Sequence, residues 1–304
     1  MGAESKTFVY PGCGVQNGPF VTADSDLEEV RERIIDDIRA TVDDAGATGV
    51  VVAMSGGIDS TVTAALAVEA LGGEHVLGLG LPCHKADQAH VSDARTIADG
   101  LGIEFQEIHL RPLLEAFKTA VDPALETGRQ ADTTRPVERN DALGNVTARL
   151  RMVCAYYAAN RRSRLVLGTA NRSEFLLGYF TKYGDGAADT YPIGDLYKTE
   201  VRALAGRIGV PRRIVSKEPT AGFWADQTDA TELGASYDAI DPFLHQLFET
   251  DTTVSEAATN CSIDLETARS LAWRSAETAH KRAQPPTPGV VDRSDSSAEF
   301  GCDQ

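Results

Sequence analysis

Apolar side chains recur in the first part of this chain with the spacing of a helix. Between residues 24 and 45, charged residues alternate with apolar ones at positions 27, 30, 34, 35, 38 and 42. Positions three and four apart lie on one face of a helix, so this segment is predicted to be an amphipathic helix. Similar patterns predict helices at residues 60–71, 88–101, 111–125, 144–160, 196–208, 231–249 and 264–282.

Short apolar runs separate several of these helices. They lie at residues 49–54, 75–81, 103–109 and 164–168 and have the length of strands. Strands that alternate with helices form parallel sheets covered by helices on both faces. The predicted fold class is therefore α/β, with a doubly wound parallel sheet that binds ligands at the carboxyl ends of its strands.

Segments without periodicity divide the remaining sequence. Residues 128–143 and 181–195 are polar and are predicted to be loops, the first of them flexible. Residues 1–22 mix Gly, Pro, Cys and Thr and are predicted to form an extended arm. Residues 285–304 begin in a Pro-rich stretch and continue in Asp and Ser, which predicts an acidic, disordered tail. A single domain is expected over residues 23–284.

Acidic residues dominate the charge: 45 Asp and Glu against 29 Lys and Arg give a formal net charge of −16. Such a surface repels nucleic acid and anionic membranes, so neither is expected as a partner, and it suits a protein from a halophilic source. No apolar run approaches the roughly 20 residues of a membrane span. The N-terminus lacks the apolar core of a signal peptide, so a soluble cytoplasmic protein is expected. The scattered cysteines form no C-x-x-C pair and indicate neither a zinc site nor a disulfide framework.

The segment Ala53–Thr61 carries the strongest chemical signal. A buried strand precedes it and a helix follows, so a Ser-Gly-Gly turn leads into a helix N-terminus. Backbone N–H groups and the positive end of the helix dipole bind phosphate at such a point. Asp59 would repel phosphate by itself, and its presence indicates a cation, Mg²⁺, between the two. The alternative is a Gly-rich turn that binds nothing.

This loop resembles the Ser-Gly-Gly-x-Asp-Ser pyrophosphate loop of the ATP pyrophosphatase superfamily, whose fold is that of the adenine nucleotide alpha-hydrolases. It matches neither of the common Gly-rich phosphate motifs. Further segments resemble one family, the ammonia-dependent NAD synthetases, from about residue 25 to residue 285, and the block Tyr179–Asp185 is the most specific. The matching segments are Asn145–Met152, Gly168–Glu174, Gly178–Gly186, Asp189–Lys198, Glu218–Trp224, Gln227–Gly234 and His280–Arg282.

The resemblance implies a ligase that forms a C–N bond in the last step of NAD biosynthesis. ATP would activate the nicotinate carboxylate of deamido-NAD as an acyl-adenylate and release pyrophosphate. Ammonia would then attack the carbonyl to give NAD and AMP. Backbone donors and Mg²⁺ would stabilise the charge on the leaving pyrophosphate. No catalytic acid or base is evident in the sequence.

The resemblance also implies binding residues. Asp59 and Glu174 are expected to ligate Mg²⁺ through carboxylate oxygens. Arg149 is preferred to Arg151 as a ligand of deamido-NAD, and the adenine contacts near residues 82–88 stay open. The positions expected to bind ATP are Ala53, Met54, Ser55, Gly56, Gly57, Ile58, Asp59, Ser60, Thr169, Lys198 and Thr220. Those expected to bind deamido-NAD are Arg149, Lys182, Asp189, His280 and Lys281.

Several of these residues also have simpler explanations. Glu174 could be a solvated residue of a first helical turn, which the helix dipole favours, and Thr169 could be an N-cap. Lys198 could be a surface lysine, although the start of a helix is an unfavourable place for a cation. The run His280–Arg282 could be a group of cations that stabilises a helix C-terminus.

Two other functions compete at this point. A tRNA-modifying enzyme of the same superfamily would share the loop, but the acidic composition and the lack of a basic nucleic-acid module count against it. A non-catalytic nucleotide-binding regulator would keep the glycines and could lose Asp59 or Glu174, both of which are present.

A homodimer is expected because the resembling enzymes are homodimers that share the deamido-NAD site across their interface. The amphipathic runs at 24–45 and 144–160 carry apolar faces that one sheet need not cover fully. A charge of −16 on each chain opposes association unless salt screens it.

Glutamine is not expected to replace ammonium as the nitrogen donor. Enzymes of this type that use glutamine carry an additional amidase domain with a nucleophilic Cys, and no Cys of this chain lies in such a context. The purified protein should form NAD from ammonium and none from glutamine, as measured by product assay. Efficient NAD formation from glutamine alone would contradict this prediction.

Overall fold

A parallel sheet of four strands forms the centre of the computed structural model, which describes residues 19–84, 87–126, 136–219, 228–250 and 252–285. In spatial order the strands run β3-β2-β1-β4, and Val50 of the first strand pairs with Val76 and Leu165 on its two sides. Each strand falls inside a predicted range. The strands are β1 Val50–Ala53, β2 Val76–Gly80, β3 Glu104–Glu107 and β4 Leu165–Leu167.

Helices cover both faces of this sheet because its central strands are apolar on both faces. Val50 and Val52 pack into one hydrophobic cluster and Val51 into another. The first cluster includes side chains of α1 Asp24–Asp44, α2 Ile58–Leu71, α3 Asp87–Leu101, α7 Lys198–Arg207 and α8 Arg212–Val215. The second includes side chains of α4 Arg111–Glu126 and α5 Pro136–Arg161. The doubly wound α/β fold is thus confirmed.

The remaining helices build a third apolar cluster outside the sheet. Ile240, Phe243 and Leu244 lie at its centre and are fully buried. Its helices are α6 Arg172–Leu177, α9 Asp229–Leu233, α10 Tyr237–Glu249, α11 Val254–Asn260 and α12 Leu265–Glu277, and the short α13 Ala279–Arg282 follows. Because α6 carries Glu174, this cluster supports one wall of the candidate site.

Three predicted boundaries are wrong. The predicted flexible loop 128–143 includes the start of α5 at Pro136, a residue that the first turn of a helix tolerates because its missing N–H has no intrahelical partner there. The predicted helix 231–249 is two helices, separated where Gly234 adopts φ +80°. The predicted helix 264–282 is interrupted at Thr278. The helices α6, α8 and α11 were not predicted, since they have only 6, 4 and 7 residues.

The expected division into arm, domain and tail stays a prediction. Most of the arm and all but residue 285 of the tail lie outside the described residues. At the end of the predicted arm, the ring of Phe20 lies 5.3 Å from that of Tyr197, and the Val21 N–H donates to Glu200 Oε1 at 2.8 Å. In the described part of the chain, no helix has the length and apolar character to cross a bilayer.

The order of the strands determines where a ligand can bind. From β1 the chain proceeds to β2 and β3 on one side, and it returns to β4 on the other side. The connections after β1 and β4 therefore diverge, which leaves a crevice at their carboxyl ends. The loops that follow Ala53 and Leu167 border this crevice.

Candidate active site

The loop Met54–Gly57, which is predicted to bind phosphate and is hereafter the phosphate-binding loop, joins the end of β1 to the start of α2. Gly56 has φ +73°, and a Cβ there would lie 2.3 Å from the backbone oxygen of His90, so only glycine fits. Gly57 is the N-cap of α2 and has no side chain to satisfy the first-turn N–H groups. These N–H groups are therefore available to an anion.

Hydroxyl groups hold the loop in shape. The Ser55 N–H donates to Ser60 Oγ at 3.2 Å, and the Gly57 N–H donates to Ser55 Oγ at 3.2 Å. Thr61 Oγ1 donates to the Gly57 oxygen at 2.7 Å. The loop is thus preorganised before any ligand binds, which lowers the entropy lost on binding.

A cavity of about 300 Å³ opens beside the loop at the carboxyl ends of β1, β2 and β4. Most of the positions expected to bind ATP line it. They are Ala53, Met54, Ser55, Gly57, Ile58, Asp59, Ser60, Thr169 and Lys198. Gly56 lies in the loop but not on the cavity wall. Thr220 lies outside the described residues.

A buried lysine joins the two predicted metal ligands. Lys198 Nζ lies 2.7 Å from Asp59 Oδ2 and 3.1 Å from Glu174 Oε1. The Lys198 side chain is 3% exposed, whereas each carboxylate is 18% exposed. Lys198 is therefore not a surface lysine, and Glu174 is not simply a solvated residue of a first turn.

Local structure fixes each member of this cluster. Asn171 and Glu174 form a capping box at the start of α6, and the Asn171 side chain donates to Asp59 Oδ1 at 2.9 Å. Lys198 is the first residue of α7. The unfavourable helix dipole at that position is offset by two carboxylates, because burial alone would lower the lysine pKa but Asp59 and Glu174 raise it above its ordinary value.

The pKa of the Glu174 carboxyl group is also raised above its ordinary value. Burial raises the pKa of Glu174, Lys198 opposes this shift, and the neighbouring Asp59 adds to it. A cation in addition to Lys198 would favour the ionised form of this carboxyl group. A second cation beside Lys198 would therefore interact favourably with Glu174.

Asp229 is a further buried acid that lies at the site, although the sequence did not predict it there. It lines the cavity, its Oδ2 accepts from Tyr237 OH at 3.0 Å, and its Oδ1 accepts from Tyr179 OH at 3.3 Å. The Tyr237 ring also lies 5.3 Å from Lys198 Nζ. Asp229 is within the matching segment Gln227–Gly234, but nothing in its spacing indicated a site.

The basic residues expected to bind deamido-NAD are near one another. Arg149 Nε donates to the Lys182 oxygen at 3.3 Å, and Lys182 Nζ donates to the His280 oxygen. Lys281 Nζ donates to the oxygens of Gly178 and Phe180, each at 2.8 Å. This basic cluster of Arg149, Lys182, His280 and Lys281 lies off the cavity wall.

Two residues of the run His280–Arg282 cap a helix C-terminus, which is the simpler role considered above. Arg282 Nη1 donates to the Leu176 oxygen at 2.9 Å, at the end of α6. Together with Lys281, which binds the Gly178 oxygen, it satisfies carbonyls at a helix C-terminus. The helix that they cap is α6 rather than their own.

Asp189 also has a structural contact. Its Oδ2 accepts from the Val166 N–H at 2.7 Å, on the outer edge of β4, and its Oδ1 accepts from Tyr156 OH at 3.2 Å. The side chain stays exposed, so a ligand can reach it.

Further polar residues on the cavity wall, among them Arg151 and Asp185, were not expected there. Arg151 lines the cavity, whereas Arg149 is exposed elsewhere on α5. Arg151 Nε donates to the Leu81 oxygen at 3.2 Å, at the end of β2. Asp185 faces the cavity and accepts from the Thr181 N–H at 2.9 Å. Both lie in matching segments, and only the fold reveals which way they point.

A doubly wound sheet with an uncapped helix N-terminus and paired carboxylates at the carboxyl ends of its strands is typical of nucleotide-binding α/β enzymes. The sequence model of the NAD synthase family matches residues 30–285, and the chain belongs to this family. The predicted resemblance is thereby confirmed, and with it the predicted enzyme class, a ligase that forms a C–N bond.

Named relatives agree with this assignment. The NH(3)-dependent NAD(+) synthetase of Methanosarcina acetivorans is 43% identical over 264 residues, which cover 86% of this chain and 98% of the relative. The solved NH3-dependent NAD synthetase of Campylobacter jejuni is 30% identical, with a TM-score of 0.68 and coverage of 86% and 98%. The NMN synthetase structure of Francisella tularensis is 33% identical, with a TM-score of 0.71 and the same coverage.

Replacing Lys198 with Met should lower the free energy of unfolding by about 3 kcal/mol, because two carboxylates would remain buried without their cation. Urea denaturation in metal-free buffer measures this loss. Added Mg²⁺ should raise the stability of K198M more than that of the wild type, since it supplies the missing charge.

Lys118→Met is the matched control. Lys118 forms an exposed ion pair with Glu115 at 3.5 Å, and such pairs contribute little. Equal stability losses in the two variants would contradict the role assigned to the buried lysine.

Proposed function

We propose that this protein uses ATP to convert deamido-NAD and ammonia into NAD, AMP and pyrophosphate through an acyl-adenylate. The observation that carries this proposal is the cluster of Asp59, Lys198 and Glu174 directly beside the phosphate-binding loop. The curated relatives support it, because they bear the name of this activity and match over nearly their whole length.

Adenylation requires the leaving pyrophosphate to be held and its charge to be neutralised. The first-turn N–H groups of α2 donate to it, and the helix dipole acts in the same direction. Lys198 adds a positive charge, because its two carboxylate partners keep its amino group protonated. Thr169, which follows β4, provides a further hydroxyl group on the cavity wall.

Asp59 and Glu174 suit Mg²⁺ chemically. Mg²⁺ prefers oxygen ligands and is commonly held by one or two carboxylates together with substrate phosphates and water. No group of three or more His, Cys, Asp or Glu side chains surrounds one point among the described residues, so an ion here depends on the nucleotide for further ligands. Bound Mg²⁺ would neutralise charge on the phosphates.

The basic cluster of Arg149, Lys182, His280 and Lys281 is the proposed site for deamido-NAD. Its positive charges complement the phosphates and the carboxylate of that substrate in an otherwise acidic protein. Lys182 and Tyr183 border Gly184 and Asp185 of the cavity wall, so a substrate there can extend toward ATP. The requirement for ATP supports a cytoplasmic location.

Both half reactions can be tested with the purified protein, deamido-NAD, ATP, Mg²⁺ and ammonium. NAD and AMP should form in equal amounts, and nicotinate mononucleotide in place of deamido-NAD should react poorly. A faster reaction with the mononucleotide would show that it, rather than deamido-NAD, is the substrate.

Asp59→Asn and Glu174→Gln should abolish pyrophosphate release at saturating Mg²⁺ while far-UV circular dichroism stays unchanged. Turnover at the wild-type rate in either variant would contradict the proposed metal site.

A homodimer is proposed from the apolar surface of α4 and α5. Leu113 and Phe117 on α4 and Val153 and Tyr157 on α5 are exposed, and Tyr157 is 63% exposed. On α1, in contrast, Val30 and Ile34 are half-buried against the first apolar cluster, and the other apolar side chains of its predicted face are buried. Arg149, Val153 and Tyr157 are four residues apart and share one face of α5. An interface there would adjoin the proposed deamido-NAD site.

Salt should strengthen this dimer. Each chain carries −16 at neutral pH, and at about 0.15 M salt the Debye length falls to about 8 Å, which screens the repulsion between subunits. Sedimentation velocity at low and high KCl should show more dimer at high KCl, as expected of a halophilic protein.

Tyr157→Glu should shift the protein toward monomer and lower its affinity for deamido-NAD. Trp273→Glu is the matched control, because Trp273 is 70% exposed on α12, outside the proposed interface. A fully active wild-type monomer at every salt concentration would refute the shared site.

A further inference from the structure

Asp241 is a fully buried carboxylate outside the cavity. It lies on α10, next to Ile240 and close in sequence to Phe243 and Leu244, in the third apolar cluster. Burial raises its pKa, which the donors around it oppose. Enclosing a carboxylate among apolar side chains is unfavourable unless specific hydrogen bonds compensate, so its partners indicate why it is there.

Those partners belong to two helices of the active site. Asp241 Oδ1 accepts from Ser173 Oγ at 2.6 Å. Asp241 Oδ2 accepts from the Thr199 N–H at 2.8 Å and from Thr199 Oγ1 at 2.7 Å. Hydrogen bonds to an ionised acceptor are short and strong, so these three contacts constrain both partners closely.

Each partner is the chain neighbour of a residue in the buried cluster. Ser173 precedes Glu174 on α6, and Thr199 follows Lys198 on α7. The two helices are also joined directly, because the Lys198 N–H donates to Ser173 Oγ at 2.9 Å. A closed set of hydrogen bonds therefore links α10 to the first turns of the helices that carry Glu174 and Lys198.

The same bonds compensate the helix termini. The Thr199 N–H is one of the first-turn donors of α7 that lack an intrahelical acceptor, and a carboxylate satisfies it well. The negative charge of Asp241 thus lies at the N-terminus of α7, on the side away from the cavity.

We propose that Asp241 is a positioning residue for Mg²⁺-nucleotide binding. It fixes the first turns of α6 and α7 so that the side chains of Glu174 and Lys198 lie beside Asp59, and it does not itself touch a substrate. This inference rests on the proposed roles of Asp59 and Glu174 in binding the Mg²⁺ complex of ATP.

The test measures binding rather than turnover alone. Mn²⁺ serves as a paramagnetic substitute for Mg²⁺, and a non-hydrolysable ATP analogue with a methylene group between its α and β phosphates serves as the nucleotide. Asp241→Asn should weaken Mn²⁺-nucleotide binding by about tenfold or more, as measured by electron paramagnetic resonance. Its kcat should fall while its KM for deamido-NAD stays near the wild-type value.

Asp238→Asn is the matched control. Asp238 is also on α10 and also contacts α7, through Arg202 at 3.1 Å, but its side chain is 65% exposed and points to solvent. This variant should bind Mn²⁺-nucleotide like the wild type. Equal weakening in the Asp238 and Asp241 variants would show a general loosening of α10 and overturn the proposal.

A second pair of variants keeps Asp241 in place. Thr199→Val removes only the hydroxyl donor and should weaken Mn²⁺-nucleotide binding, whereas Thr199→Ser retains that donor and should restore it. If Asp241→Asn fails to fold, this pair decides: wild-type affinity in Thr199→Val overturns the proposal. Absence of Mn²⁺-nucleotide binding in the wild type would instead refute the proposed metal site on which the inference rests.

Discussion

The ion pairs of Lys198 with Asp59 and Glu174 are the interaction on which the rest of the site depends. They bring together the helix after β1, the helix after β4 and a third helix from further along the chain. Removing water from three charges is unfavourable, so such a cluster adds little stability as a whole and becomes costly when one member is lost. The cluster holds one positive and two negative charges at fixed positions beside the phosphate-binding loop.

Much of this architecture could be predicted from local sequence. All four strands and the longer helices followed from periodicity, because apolar runs and amphipathic repeats reflect burial directly, whereas the short helices α6, α8 and α11 did not. The start of α5 did not, since the polar residues from Pro136 onward carry no apolar period. The separation of α9 from α10 depends on one left-handed glycine, Gly234, which looks the same in sequence as a tolerated helix glycine.

The site was predictable to the extent that its chemistry is local. Asp59 lies in the first turn of α2, directly after a contiguous strand and turn, so its neighbourhood could be inferred from spacing alone. Glu174, Lys198 and the basic residues depended on family resemblance. Asp229 and Asp241 were not assigned, because their partners are distant in sequence: Asp241 bonds to Ser173, 68 residues away. Nothing local distinguishes such an acid from one on the surface.

The two halves of this cluster, Asp59 on one side and Glu174 with Lys198 on the other, are synthesised at different times during translation. Lys198 and Asp59 are 139 residues apart, whereas β1, β2 and the intervening α2 are contiguous. Chains fold from the N-terminus as they emerge, and local elements form first. A growing chain therefore exposes the phosphate-binding loop well before Glu174 and Lys198 have been synthesised. During translation the nascent chain therefore carries this loop before the helices of Glu174 and Lys198 can pack against the completed sheet.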